Sequence, residues 1–351
     1  MKRIDLPLVF EGKNSKKKPS VRGKMFGYQV LGFGAGGSSS PFIEATGGTL
    51  TTSGDFKVHT FTSPGTFSVS NAGDSTSPDG VLDYFVVAGG GGGGNNGYPQ
   101  QRAGGAGGGG GFRLSNATPQ VAAPVMSPLS NPSGLTVTKQ DYPVTVGAGG
   151  AGGQPASSSG QYAGYRGADS VFSSITSTGG GGGEGHPLIS GGPSPVPAGP
   201  KTGGSGATST SPHAGNTPPV SPPQGNDGGA GVAQPPATFS CGGGGGAGGA
   251  GGNSSGQSGG TGGIGSFVAD AVGSATPTAY GTSGPVSNTR YFSGGGGGIS
   301  GGGASPAGGG TAWAGSNAAD NTGGGGGGNQ FNGGVCANGG SGIVVIRYKY
   351  Q

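Results

Sequence analysis

Six uninterrupted runs of five or six glycines, at 89–94, 107–111, 179–183, 242–246, 294–298 and 323–328, restrict what this chain can become. Glycine has no side chain to bury and loses about 0.5–1 kcal/mol more than alanine when it is ordered. With 94 Gly and 27 Pro among 351 residues and only 29% hydrophobic residues, a conventional large side-chain core is excluded. Two outcomes remain. One is a disordered linker; the other is a fold in which glycine backbone packs on glycine backbone through N–H···O and Cα–H···O bonds. The shared run length favours the second, because at a polyproline II rise of about 3.1 Å five or six residues span about 16–19 Å, the thickness of one slab.

The flanks point the same way. Val81–Ala88, with β-branched and aromatic residues, reads as a buried strand running straight into Gly89. Val171–Thr176 leads similarly towards Gly179, and Tyr142–Val146 leads into the Gly/Ala stretch 147–153. Phe56–Phe61 and Thr66–Val69, separated by Ser63-Pro64-Gly65, read as a hairpin, and Ile343–Tyr348 as a terminal strand. Helical periodicity is absent, so the body, 56–351, is expected to be an all-β sandwich with inserted, packed polyglycine II helices. Residues 186–240, rich in Pro, Ser and Gly, read as a long surface loop or a mobile one.

Charge is uneven. Lys2, Arg3, Lys13, Lys16, Lys17, Lys18, Arg22 and Lys24 face only Asp5 and Glu11 in the first 24 positions, so residues 1–55 read as a basic arm on a nearly neutral body. Beside it, the apolar segment Met25–Phe33 is suited either to a neighbour's sheet edge or to an internal strand. No apolar stretch follows Met1 and no run of about 18 apolar residues occurs, so synthesis in the cytoplasm without membrane insertion is expected. The two cysteines, Cys241 and Cys336, are too few for a disulfide framework or zinc site and are expected to be buried thiols rather than a disulfide.

The ordered blocks His59-Thr60-Phe61, Gly65-Thr66-Phe67, Val86-Val87-Ala88-Gly89, Val144-Thr145-Val146-Gly147 and Gly342–Tyr348 resemble the glycine-rich domain of phage and marine-virus tail-fibre-like proteins. More loosely, the chain is similar to polyglycine II sandwich adhesins at the tips of long tail fibres and to the glycine-rich extracellular domain of a small receptor tyrosine kinase family. These resemblances imply packed glycine helices, a jelly-roll-like sandwich and, for tip adhesins, loops that bind outer-membrane proteins or glycans.

Chemistry is sparse in the sequence. The GxGxxG spacing carries no information where glycine fills more than a quarter of positions, and no GxxxxGK[ST] loop occurs. His59, His186 and His213 lack the spacing of a metal or triad site. Glu184, Asp227, Asp270 and Asp320 are too scattered to nominate a glycosidase pair. Arg102, Arg113, Arg166, Arg290 and Arg347 form no RGG repeat, so nucleic-acid binding is not expected. The expectation is therefore a non-enzymatic virion appendage without cofactor, a tail fibre or adhesin-like protein made in a bacteriophage host's cytoplasm and released with the particle. Its basic arm would attach to other virion structural proteins. Tyr98, Arg102, Tyr162, Tyr165, Arg166, Tyr291 and Trp313 are the candidates for contact with a host surface glycan or outer-membrane protein, or else caps over glycine-helix ends. The alternative is a purely structural capsid decoration or head-fibre protein; a homotrimer is expected only by analogy with other fibres.

Overall fold

The computed structural model describes residues 40–74, 80–95, 104–118, 126–154, 163–185, 201–208, 211–234, 238–256, 258–269, 280–298, 317–329 and 336–351. The body runs from Phe42 to Gln351, so it begins at Phe42 rather than at residue 56. The basic residues of the arm, from Lys2 to Lys24, and the segment Met25–Phe33 lie outside the described residues.

Among the described residues no helix occurs, and two mainly antiparallel sheets form the body's sandwich. The larger contains β2 (Thr49–Ser53), β3 (Phe56–Phe61), β16 (Ile343–Lys349), β5 (Val81–Val87), β6 (Phe112–Ser115) and β7 (Ser130–Asn131) in that spatial order, with β8 (Leu135–Thr136) also on β5. The smaller runs β1 (Ile43–Thr46), β4 (Gly65–Ala72), β9 (Asp141–Thr145), β10 (Ser170–Phe172) and β11 (Ile175–Ser177). Between them lies a core of Ile43, Phe67, Val69, Tyr142, Val144 and Phe172 against Leu82, Tyr84, Val86, Val344, Ile346 and Tyr348. The opposite face of the larger sheet is buried too. There Val58, Phe85, Val87, Phe112, Ile343 and Val345 pack with Val268 and Phe292 of the hairpin β14 (Ser266–Ala269) and β15 (Thr289–Phe292). Burial on both faces explains why β5 and β16, apart from the opposed pair Asp83 and Arg347, are apolar on both sides rather than alternating.

Two strand expectations need correction. β3 and β4 are not a hairpin: β3 pairs with β2 and β16, while β4 pairs with β1 and β9. Ser63-Pro64-Gly65 therefore arches from one sheet to the other, which lets Phe61 and Phe67 meet in the core. The segment 171–176 is itself a tight hairpin, β10 to β11, turning at Ser173 with a φ of 53°.

The glycine runs form a three-dimensional lattice. Gly89 and Gly92 donate to the carbonyls of Ala168 and Tyr165, Gly90 and Gly93 to Gly340 and Ala337, and Gly91 and Gly94 to Gly108 and Gly105. The carbonyls of this run in turn accept from Gly180 and Gly183, from Gly150 and Gly153, and from Gly326 and Asn329. Bonds thus rotate among neighbours with a period of three, as the threefold polyproline II geometry dictates, and 89–94 is enclosed by 104–111, 147–153, 163–168, 179–184, 323–329 and 336–340. Runs 104–111 and 243–248 sit in equally crowded positions. In run 89–94 close approach demands glycine: a Cβ on Gly90, Gly91 or Gly92 would overlap the backbone carbonyl of Gly324, Gly181 or Ala151.

The presumed loop 186–240 is partly lattice. Residues 203–208 are buried, Ser205 donates its amide to Gly109 at 3.0 Å, and Gly206 donates to Asn226 at 3.0 Å. Farther along, β12 (Val232–Gln234) and β13 (Thr238–Ser240) form a hairpin that feeds the run 242–246. Within a composition this poor in apolar residues, backbone hydrogen bonding rather than hydrophobic pattern decides burial, and it leaves little periodic signal.

Candidate functional site

The glycine helices have a sandwich end and a remote end. β5, β9 and β11 deliver the chain into 89–94, 147–153 and 179–184, whereas β6 and β16 receive it from 104–111 and 336–342. At the remote end, Gly94 donates to Gly105 at 2.7 Å, Gly153 to Gly93 at 2.8 Å, Cys336 to Gly153 at 3.3 Å, and Asn95 Nδ2 to the Gln154 carbonyl at 3.1 Å. The described ends that flank 96–103, 155–162 and 330–335 are therefore gathered on one face of the lattice. Tyr98, Arg102 and Tyr162 belong to these joining stretches and, like Trp313, lie outside the described residues.

Tyr165 and Arg166 occupy a side of the lattice instead. The Tyr165 amide donates to Ala151 at 2.8 Å and its carbonyl accepts from Gly92 at 2.9 Å, which fixes the backbone while the ring stays 39% exposed. Arg166 Nη2 lies 2.5 Å from Asp169 Oδ1, and the same oxygen accepts the Gly179 amide at 2.8 Å. Both members of this ion pair are partly exposed, so it orients the guanidinium more than it stabilises the fold.

Tyr291 departs from the expectation of a contact loop. It lies on β15, only 3% exposed, with its ring 5.4 Å from that of Phe267 and its hydroxyl accepting the Val286 amide at 3.3 Å. Phe292 faces the larger sheet, so its neighbour Tyr291 faces the other way and is covered by Phe267 and the loop at 282–286, which Arg290 ties down through the carbonyls of Tyr280 at 2.9 Å and Gly281 at 2.5 Å. Tyr291 is a packing residue in this fold.

A family model described as the glycine-rich domain matches residues 62–349, which spans the glycine lattice and the sandwich from β4 to β16. The chain belongs to the glycine-rich domain family. No curated protein matches it.

In this glycine-rich domain the buried polar groups serve the scaffold. The pair Asp83–Arg347, at 2.9 Å and with both side chains 1% exposed, joins β5 to β16 and was not singled out from sequence. Burial alone would raise the Asp83 pKa, but the Thr118 hydroxyl, the Arg347 charge and the Ala117 amide hold it below the ordinary value. Asp83 also accepts from Ser115 Oγ at 3.0 Å, and Arg347 stacks 4.5 Å above the Phe56 ring. Its partner could have been suspected only from pairing register, since Asp83 and Arg347 interrupt the two most apolar strands at opposed positions.

His59 is buried between sheets. Nδ1 lies 2.7 Å from the Gly47 carbonyl, which can only accept, so Nδ1 carries the proton and the Tyr348 hydroxyl donates to Nε2 at 3.0 Å. Burial lowers the His59 pKa, the Gly47 bond opposes this, and the charge of Lys57 adds to the lowering. Cys241 and Cys336 are buried thiols, each pushed by burial up to about 12, so neither offers a nucleophilic thiolate at neutral pH. Among the described residues no cluster of His, Cys, Asp or Glu has metal-binding geometry, and no helix is long and apolar enough to cross a membrane.

Proposed function

We propose that this glycine-rich domain protein is a non-enzymatic virion appendage, tail-fibre or adhesin-like, whose basic arm attaches to other virion structural proteins and whose lattice carries host-recognition loops. The observation that supports this is the gathering of glycine-helix ends around 95, 104, 154, 329 and 336 on one face, remote from the sandwich. A rigid scaffold that collects several chain connections at one end is how binding loops are commonly held. The connections here contain Tyr98, Arg102 and Tyr162, residue types that supply rigid contact area and charge to recognition surfaces. The resemblance to tail-fibre-like proteins gives the same reading, and the ligand would be a surface glycan or outer-membrane protein.

The deciding experiment is to locate and count the protein in intact particles. A few copies at the tail, with purified protein competing for host adsorption, is the expected result; absence from the particle would reject the proposal. Hundreds of copies on the shell without competition would favour a decoration protein instead. Replacing Tyr98, Arg102 and Tyr162 together by Ala should reduce adsorption while leaving assembly intact, and unchanged adsorption would assign them to capping the lattice.

A further inference from the structure

The interior and peripheral glycine helices differ in a regular way. Run 89–94 is glycine throughout and encased on all sides. At the periphery, 147–153 reads Gly-Ala-Gly-Gly-Ala-Gly-Gly, and its two alanines, Ala148 and Ala151, are the exposed members of a three-residue repeat whose glycines bond inward to 90, 93 and 339. Its neighbour 163–169 exposes Tyr165 and Ala168, again three residues apart, while Gly164 and Gly167 donate into 179–183. On another side, Thr261 is exposed and Ile264 half-buried, and the interleaved Gly260 and Gly263 donate to Cys241 and Gly244. The most exposed residues of 147–153 and of 163–169 thus fall on one outward third of each helix.

An outward row with no side chains would be an open edge. The amides of Ala148 and Ala151 make no hydrogen bond among the described residues, and they repeat with the same period of three that pairs interior helices. This resembles the unpaired row of a β-sheet edge, which templates association unless it is blocked. The partner with the matching repeat is another polyglycine II helix. The lattice accommodates both parallel and antiparallel neighbours, as Gly180 and Gly183 bonding to Gly89 and Gly92, and Gly91 and Gly94 to Gly108 and Gly105, show. In any solution of this protein, the ready source of such a helix is a second copy. What prevents its approach is the Cβ: inside the lattice, helices lie so close that a Cβ at Gly91 or Gly107 would overlap a neighbour's carbonyl.

We infer that the outward third-position side chains of the peripheral helices terminate the lattice, and that reducing them to glycine turns this face into a docking surface for a second copy of the chain. The side chains act by bulk at Cβ, not by chemistry, which is why Ala, Tyr and Thr serve equally. The test compares the full-length wild type with the variant Ala148→Gly/Ala151→Gly/Tyr165→Gly/Ala168→Gly by sedimentation across a range of concentration, with amide exchange at 89–94 reporting that the lattice is intact. The expected result is a mass that at least doubles with concentration in the variant while the wild type is unchanged. Tyr165→Ala, which keeps a Cβ, should behave as wild type. A protected variant that retains the wild-type mass overturns the inference, and so does association of Tyr165→Ala to the same extent, which would make ring loss the cause. Should the fourfold variant lose protection, Ala148→Gly/Ala151→Gly leaves the neighbouring helix untouched, and its mass decides in the same way.

Discussion

In the sandwich, the rings of Phe67 and Phe172 meet edge to face at 5.8 Å and both residues are fully buried, so the space between sheets is filled by side chains. In the lattice, Gly91 fills its space with backbone alone, donating to Gly108 at 2.9 Å and accepting from Gly326 at 2.8 Å. Both regions are closely packed and buried, yet they differ in mutational tolerance. Removing atoms should damage the sandwich, where a cavity follows, and adding atoms should damage the lattice, where no side chain can rotate away. One chain therefore contains two packing chemistries, joined covalently at each strand-to-glycine junction.

The largest effect is expected from Phe172→Ala. It deletes a ring at the centre of the inter-sheet core, against Phe67 and Tyr142, and should cost about 3–5 kcal/mol in chemical denaturation. Gly91→Ala comes next. The single added methyl meets the carbonyl of Gly181, and with backbone on every side the expected cost is about 1–3 kcal/mol, the range for overpacking a filled interior. Amide exchange should separate the two: Gly91→Ala speeds exchange first in 89–94 and 179–183, while Phe172→Ala speeds it first in β9 and β10. If one methyl on Gly91 leaves both stability and protection unchanged, the contrast between the regions fails.

The pH dependence should separate the regions too. His59, in the sandwich, has a folded pKa below its ordinary 6.5, chiefly through burial, so the unfolded chain takes up its proton first as the medium is acidified. Its contribution is complete above about pH 6.5 and is lost as pH falls through the lower folded value. His213, beside the lattice, is lowered as well, by burial and then by the charge of Lys201, against the opposing charge of Glu184. Unfolding measured between pH 7.5 and 5 should show stability falling in wild type and a smaller fall in His59→Gln; an identical slope would remove His59 as a source. Asp83, whose pKa is depressed, keeps its contribution throughout that range and loses it only in stronger acid.

The legibility of the two regions in sequence differs for the same physical reason. Strands β5, β9 and β16 were readable because side-chain pattern determines their burial, and the glycine helices were readable because run length and junctions are written directly in the residues. The inter-sheet arch at Ser63-Pro64-Gly65 was not, since a hairpin and an arch use the same turn residues and differ only in which strands pair. Nor was the burial of 203–208, where burial is decided by backbone partners distant in sequence, such as Gly109 and Asn226. Tyr291 was misplaced because its flanking glycines suggested a loop, although Thr289–Phe292 is a strand whose alternate residues cover the larger sheet. The Ala-Gly-Gly repeat at 148–153 was visible as glycine-rich sequence, but its meaning depends on knowing which side of the helix faces water.

The smallest predicted effect sharpens the comparison most, because it uses the same substitution within the same lattice. Gly249 lies at the rim, and a Cβ there would meet only Ile264 Cγ2 at 3.2 Å, with the nearest backbone atom at 3.9 Å. A half-buried side-chain methyl at 3.2 Å has only a few tenths of an ångström to give, whereas the Gly181 carbonyl, 2.0 Å from a Cβ on Gly91, would have to be displaced outright. Alanine also restricts the unfolded chain, an effect worth about 0.4–1 kcal/mol of stabilisation where the native backbone suits it. Gly249→Ala should therefore be neutral or slightly stabilising in the same denaturation assay that finds Gly91→Ala destabilising. A cost at Gly249 equal to that at Gly91 would mean that the lattice demands glycine for backbone conformation everywhere. A difference in sign locates the demand in the close approach of neighbouring backbones, which Gly91 meets and Gly249 does not.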